Sequence, residues 1–289
     1  MRTNFKKQVI MTILLFLYSS LVLWSAETNN KESKTITIKG SDTMLILGQK
    51  WAEVYMKENP GIKIQISGGG SGVGFSALIN GTTHIAEASR HMEKEEEETL
   101  IKERGESHKP IEFRVAMDGI TIYVNNNNPV DSLTLDQLRD IYLGKIRNWE
   151  EVGGPDARIV MYGRESASGT RRYFQGIILN MADFALQVQP LPGTGAIVNA
   201  VANDKNGIGY GGVGYARGVK KLKIARDEKS GYYPPEREYV VTGQYPLARH
   251  LYWYTAGSPK GEIKEFLDWV LSPEGQKVVE EVGYFPVVK

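Results

Sequence analysis

Three segments of the sequence combine a short β-type run, a group of glycine, serine and threonine residues, and then a helical pattern. They are residues 40–43 (GSDT), 68–74 (GGGSGVG) and 164–170 (RESASGT). The first turn of a helix offers free backbone N–H groups and a partial positive charge, and glycine lets a ligand approach the backbone closely. Serine and threonine add rotatable hydroxyl donors. This combination is typical of a site that binds a small oxyanion.

Each of these segments also has an ordinary structural interpretation. Serine, threonine and aspartate are common helix N-caps, so any one segment alone is weak evidence for a binding site. Three such segments in one chain, with Arg164 at the start of the third, favour binding. An arginine carries a permanent charge on a planar fork that matches an oxyanion. Arg164 is therefore the predicted principal counter-charge.

Other kinds of site receive little support. The glycines of residues 68–74 lack the Gly-Lys-Ser/Thr ending of a P-loop and the spacing of a dinucleotide-binding loop. The histidines have no metal-ligand spacing, and no hydroxyl-rich motif has a neighbouring histidine that could act as a base. The sequence therefore predicts no metal, no cofactor and no enzymatic activity, with a phosphatase as the weaker alternative.

The elements around the first two segments alternate between strand and helix. Strands are predicted at residues 35–39, 62–66 and 84–88, and a helix with apolar residues at helical spacing is predicted at 44–59. Such alternation is typical of an α/β fold with helices layered over a largely parallel sheet.

Two later β-type runs are predicted to carry the chain between two lobes. The strand pattern of residues 117–125 continues without a helix, and a run at 247–255 precedes a helical segment at 258–282 that Ser272-Pro273 interrupts. Residues 119–249 form the predicted lobe 2, with helices at 135–143 and from 168, a strand at 158–163 and a glycine-rich run at 207–214. Lobe 1 is predicted from residues 35–118 plus 250–289, which makes two hinge crossings.

Composition limits the partners and the location of the protein. The 289 residues include 35 Lys+Arg and 34 Asp+Glu, so a net charge of +1 provides no field for nucleic acid. Basic residues precede an uncharged stretch at 8–26, which is typical of a secretory signal at 1–26, with an uncleaved anchor as the alternative. The sequence has no cysteine for a lipid anchor, so a soluble periplasmic protein is predicted.

Longer motifs resemble a known family. GSDTM, GGGSGVGFSALINGTTHIAEASR, LTLDQLRDIYLGKIRNWEEVGG and YGRESASGTRRYF are similar, in this order, to motifs of the phosphate-binding protein of the phosphate ABC transporter, in its shorter bacterial and archaeal form. The likeness covers residues 35–289. It implies a two-lobe periplasmic-binding-protein fold of type II, inorganic phosphate as ligand, the permease subunits of an ABC importer as partners, and a monomer. A binding protein for sulfate or molybdate and a phosphate-sensing module are the alternatives.

The resemblance also implies the ligand residues. They are Ser41, Asp42, Thr43, Ser71, Ser89, Arg164, Ser168, Gly169 and Thr170, with Gly70, Gly72, Arg90 and Glu165 as weaker candidates. Some members carry an acidic residue after the serine of the third strand, where it accepts the proton of hydrogen phosphate, but this chain has Arg90 there. Asp42 and Glu165, and then Asp118, are the remaining candidates for that acceptor. Arg90 is either a second counter-charge or the partner of a surface acid.

Overall fold

The computed structural model describes residues 34–287, and the predicted signal at residues 1–26 lies outside them. The strands are β1 (Lys34–Gly40), β2 (Ile62–Ser67), β3 (Ile85–Ala88), β4 (Pro110–Val124), β5 (Ser132–Thr134), β6 (Val160–Arg164), β7 (Gln189–Leu191), β8 (Gly207–Gly212), β9 (Lys220–Lys221), β10 (Lys223–Ala225) and β11 (Ala248–Ala256). The helices are α1 (Leu45–Glu58), α2 (Ser71–Ile79), α3 (Lys94–Arg104), α4 (Leu135–Tyr142), α5 (Gly169–Ile177), α6 (Gly193–Asn203), α7 (Arg237–Val241), α8 (Gly261–Val270) and α9 (Pro273–Val282).

The main sheet is mixed rather than largely parallel. Its strands follow the order β2-β1-β3-β11-β4-β8-β6-β7, with β9 beside β4. The flanks are parallel, since β1 pairs with β2 and β3, and β6 pairs with β7 and β8. The centre is antiparallel, because β11 pairs in that sense with β3 and β4, and β4 with β8. The prediction of a largely parallel sheet is therefore wrong at the centre, where neighbouring strands need no helical crossover.

Strand β4 joins the two halves of the sheet. It is 15 residues long, and its first part, as far as Gly119, pairs with β11. From Ile120 onward it pairs with β8 instead. The change of partner places the consecutive residues Asp118 and Gly119 at the middle of the sheet.

The hydrophobic core is divided in the same way. One large cluster of buried residues is drawn from residues 120–247 and includes Phe174 and Tyr210, whose rings stack at 4.1 Å. Another is drawn from residues 36–116 and 251–284 and includes Trp51 and Trp253, whose rings meet edge to face at 5.2 Å. Burial of these large side chains supplies most of the stabilisation of each half. No helix within residues 34–287 is long and apolar enough to cross a membrane.

Candidate functional site

The three predicted segments come together at the carboxyl ends of their strands. Residues 41–44 follow β1, residues 68–70 follow β2 and lead into α2, and residues 165–168 follow β6 and lead into α5. The first turn approaches β3 closely: a Cβ on Gly40 would lie 2.1 Å from the carbonyl oxygen of Glu87, and the N–H of Ser41 donates to that oxygen at 2.8 Å. Only glycine fits such an approach with a φ of +148°.

Five buried hydroxyl groups meet where these turns converge. This hydroxyl cluster consists of Ser41, Thr43, Ser71, Ser89 and Thr170. The central Oγ of Ser89 lies 2.9 Å from Ser41 Oγ, 3.4 Å from Ser71 Oγ and 3.3 Å from Thr170 Oγ1. Thr170 Oγ1 also lies 2.8 Å from Thr43 Oγ1. A hydroxyl both donates and accepts, so the cluster can redirect its protons toward an anion.

Helix α5 begins directly against this cluster. Ser168 is its N-cap, and the Ser168 side chain accepts the N–H of Arg171 at 3.2 Å. A Cβ on Gly169 would lie 2.2 Å from Ser71 Oγ and 2.8 Å from Ser89 Oγ, so only a glycine fits between the helix and the serines. The free N–H groups of the first turn therefore lie beside the hydroxyl cluster.

The backbone at residues 70–72 contacts both of the other turns. The N–H of Gly72 donates to Ala167 O at 3.0 Å, and the N–H of Gly70 donates to Gly40 O at 2.8 Å. These two glycines thus lie at the junction of the three turns, with their N–H groups engaged by protein oxygens.

Arg164 is buried and paired with a carboxylate. Its side chain is 2% exposed, and Nη2 donates to Asp42 Oδ2 at 2.6 Å while Nη1 donates to Thr194 Oγ1 at 2.9 Å. Its Nε has no hydrogen-bond partner among residues 34–287. Asp42 is held in turn by the N–H of Gly69, at 2.9 Å from Oδ1, and by the Tyr215 hydroxyl, at 2.8 Å from its backbone oxygen. The charge of Arg164 is therefore balanced by Asp42, while Nε has no protein partner within the described residues.

A second buried ion pair was not recognised as part of the site from the sequence. Arg249 on β11 lies opposite Asp118 on β4, and their side chains are 2% and 0% exposed. Nε and Nη2 of Arg249 donate to Asp118 Oδ2 at 3.0 and 2.8 Å, and Asp118 Oδ1 accepts the N–H of Val213 at 2.9 Å. The available signal was a charged residue inside an apolar β-type run, which requires a buried partner.

Two weaker candidates lie away from the hydroxyl cluster. Arg90 makes two hydrogen bonds of 2.7 Å to the carboxylate of Glu96, and its guanidinium lies over the ring of Phe75. Arg90 therefore pairs with an acid, and its role as a second counter-charge stays a prediction. Glu165 is exposed. Asp118 is fully buried and accepts three N–H donors, whereas Asp42 accepts two and its side chain is 16% exposed, so Asp42 has more room for a further donor.

A buried carboxyl group lies directly behind the site. The side chain of Glu87 on β3 is fully buried, and neither of its oxygens has a hydrogen-bond partner within residues 34–287. Burial raises the pKa of Glu87 well above its usual range, and the charge of Asp42 raises it further. Burial therefore favours the neutral form of Glu87.

Replacing Glu87 by glutamine should flatten the dependence of stability on pH. Because the pKa of Glu87 is raised on folding, its contribution is fully present below the ordinary glutamate pKa and is lost as pH rises through the folded-state pKa. The Glu87→Gln variant stays neutral, so its free energy of unfolding should exceed that of the wild type at high pH by on the order of 1 kcal/mol or more. Urea unfolding at about pH 5 and about pH 9 measures this difference.

The exposed glutamate Glu98 provides the matched control, since it pairs with Lys94 at the surface. Glu98→Gln should leave the pH dependence of the wild type unchanged. An equal loss of stability with rising pH in the wild type and in Glu87→Gln would contradict the assignment of a neutral Glu87.

Metal binding has no support from the geometry. In the part of the chain that the structure describes, no group of three or more histidine, cysteine, aspartate or glutamate side chains could hold a metal ion. The donors that do converge are hydroxyl, backbone N–H and guanidinium groups, which suit an anion.

The sequence and the fold both match known binding proteins. A family model described as a PBP superfamily domain matches residues 25–274. The phosphate-binding protein PstS of Pseudomonas aeruginosa is 34% identical over 272 residues, covering 88% of this chain and 84% of that protein. PstS of Bacillus subtilis is 33% identical over 264 residues, covering 91% of this chain and 84% of that protein.

Solved structures agree with this relationship. A putative phosphate ABC transporter substrate-binding protein from Clostridium perfringens, with bound phosphate, superposes with a TM-score of 0.79 at 32% identity and covers 88% of this chain and 100% of its own. An ABC-type phosphate transport receptor from Vibrio cholerae has a TM-score of 0.69 at 29% identity, with 87% and 100% covered. The fold is therefore the α/β fold of periplasmic binding proteins, and the chain belongs to the PstS family of phosphate-binding proteins within the PBP superfamily.

Proposed function

We propose that this protein binds inorganic phosphate at the hydroxyl cluster and delivers it to an ABC importer. The observation that carries the proposal is the convergence of five buried hydroxyls with the first turn of α5, while the buried Arg164 pairs with Asp42, which lies between Ser41 and Thr43 in the first turn. Each group is a donor to an oxyanion, and together they offer a tetrahedral ligand hydrogen bonds from several directions. The ligand residues are then Ser41, Asp42, Thr43, Ser71, Ser89, Arg164, Ser168, Gly169 and Thr170, with Asp42 and Gly169 acting mainly through backbone N–H groups.

Phosphate would be trapped by closure of two lobes. The separate hydrophobic cores of residues 120–247 and of the remaining chain support two bodies joined by β4 and β11. Contacts between them at the site include the hydroxyl pair Thr43–Thr170 and the ion pair Asp42–Arg164. A ligand that binds groups of both lobes favours the closed arrangement, and closure strengthens the charged hydrogen bonds by removing water.

Selectivity for phosphate in this proposal comes from hydrogen bonding rather than from net charge. Arg164 is balanced by Asp42, and Arg249 by Asp118, so the two ion pairs add no net positive charge. Asp42 is 16% exposed, and a carboxylate has room for more than the two protein donors that its oxygens accept. Asp42 is therefore proposed as the acceptor of the proton of hydrogen phosphate, which sulfate cannot supply at neutral pH.

The family supports the proposed partners and location. The named relatives are phosphate-binding proteins, and one solved relative is described as an ABC transporter substrate-binding protein. The proposal accordingly places this protein outside the cytoplasm, in the periplasm, as a monomer that meets membrane permease subunits in its closed form. The predicted signal at residues 1–26 would direct its export.

Competition binding tests the ligand against the alternatives. Protein loaded with radiolabelled phosphate should lose the label to unlabelled phosphate but keep it in about a hundredfold excess of sulfate or molybdate, since a mismatched buried donor or acceptor costs several kcal/mol. If sulfate or molybdate displaced the labelled phosphate at the same concentration as unlabelled phosphate does, the ligand would be another oxyanion. Turnover of a chromogenic phosphomonoester by the same sample would favour a phosphatase instead.

A further inference from the structure

The guanidinium of Arg249 holds two members of the hydroxyl cluster. Its Nη1 donates to the backbone oxygen of Ser89 at 2.8 Å, and its Nη2 donates to the Thr170 hydroxyl at 2.9 Å. Ser89 follows β3 and Thr170 lies in the first turn of α5, so one side chain joins groups from two different parts of the chain. Asp118 accepts from Nε and Nη2 and so holds the adjacent edge of the same guanidinium.

We propose that Arg249, held by Asp118, is a positioning residue that orients the Thr170 hydroxyl as a donor to the bound phosphate. This inference rests on the proposed function of the hydroxyl cluster. A guanidinium can only donate, so the oxygen of Thr170 accepts from Arg249 and its own proton must point elsewhere. The oxygens within reach of that proton are Thr43 Oγ1 at 2.8 Å and Ser89 Oγ at 3.3 Å, both on the cluster side. An oxyanion bound at the cluster would therefore accept a hydrogen bond from a Thr170 hydroxyl that is already oriented toward it.

The action of Arg249 is directional rather than a matter of charge. Its positive charge is cancelled by Asp118 at 2.8 Å, and both side chains are buried, so the pair adds little attraction for anions in general. Without the arginine, the Thr170 hydroxyl could rotate and present a lone pair to the anion, which would repel it. Arg249 therefore fixes the Thr170 hydroxyl as a hydrogen-bond donor and prevents the orientation in which its lone pair faces the anion.

A double-mutant cycle on phosphate affinity tests this coupling. Isothermal titration of the mature chain with inorganic phosphate is carried out for the wild type, Arg249→Gln, Thr170→Val and the double variant. Each single change should raise the Kd about tenfold, since each removes one oriented donor. The Kd of the double variant should be about equal to the higher of the two single-variant Kd values. Both changes remove the same hydrogen bond, the one from the Thr170 hydroxyl to phosphate.

The control variant and the opposing results separate positioning from folding. Arg139→Gln also removes an ion pair and a bond to a backbone oxygen, but at α4, and it should leave the Kd unchanged. If Arg249→Gln does not fold, Arg249→Lys replaces it in the cycle. An unaltered Kd in the Arg249 variant, or losses that multiply to about a hundredfold in the double variant, would overturn the inference. Phosphate binding by the wild type, measured in the same series, tests the proposed function separately.

Discussion

Arg164→Ala should weaken phosphate binding by about a hundredfold or more. The change removes a buried, permanently charged donor, and charged hydrogen bonds contribute about 1.5–3 kcal/mol each. It also leaves Asp42 without its cation and Thr194 without its donor, so the remaining carboxylate would repel the incoming anion. The free energy of unfolding should fall as well, by about 3 kcal/mol, because one partner of a buried ion pair is lost. Isothermal titration and urea unfolding measure the two effects.

Two further variants test whether the loss of phosphate affinity and stability is caused by removal of the Arg164 guanidinium. Arg164→Lys keeps the charge but not the fork, so it should recover only part of the affinity. Arg237→Ala removes an exposed arginine that pairs with Glu280 on the surface, and it should change neither quantity. Wild-type affinity in a folded Arg164→Ala variant would show that Arg164 is not the counter-charge.

Gly169→Ala should raise the Kd for phosphate by about 10–100-fold. The added Cβ would lie 2.2 Å from Ser71 Oγ and 2.8 Å from Ser89 Oγ, which is closer than side-chain atoms can approach. Ser71 Cβ would also lie only 2.9 Å away, so the serine hydroxyls must turn aside or the start of α5 must move, and overpacking of this kind costs about 1–3 kcal/mol. Either change displaces donors of the hydroxyl cluster, so the donors no longer surround one ligand. Titration with phosphate measures the loss.

Gly176 lies in the same helix and provides the matched control. A Cβ at this position would meet only Met181 Sδ, at 3.8 Å, which is an ordinary contact. Gly176→Ala should therefore leave the affinity unchanged and should stabilise the helix by up to about 1 kcal/mol. Equal affinities for Gly169→Ala and Gly176→Ala would mean that the contact between α5 and the serines is not needed for binding.

The turns of the site could be predicted because their signals are local. Glycine, serine and threonine after a β-type run, followed by a helical pattern, indicated the starts of α2 and α5, and Ser272-Pro273 indicated the separation of α8 from α9. The resemblance to a family added Ser89, which stands alone after β3. The structure brings these hydroxyls together because the parallel strands β1 and β3 end at the same edge of the sheet.

The buried charges behind the turns could not be predicted because they depend on strand register. The Arg249–Asp118 pair requires β11 to lie antiparallel beside β4, and the environment of Glu87 requires β11 to lie beside β3. Both arrangements join residues far apart in sequence, whereas strand patterns carry no information about their partners. The same limitation explains the incorrect expectation of a largely parallel sheet. The lobe boundaries at residues 118/119 and 249/250 stay a prediction.

Calorimetric titration of the wild-type protein with phosphate, after bound anion has been removed by unfolding and refolding, tests the central claim most directly. Circular dichroism on the same sample confirms that it is folded. We expect saturable binding of about one phosphate per chain, and no comparable heat when sulfate is titrated under the same conditions. Folded, anion-free protein that takes up no phosphate would contradict the assignment of the hydroxyl cluster as a phosphate site.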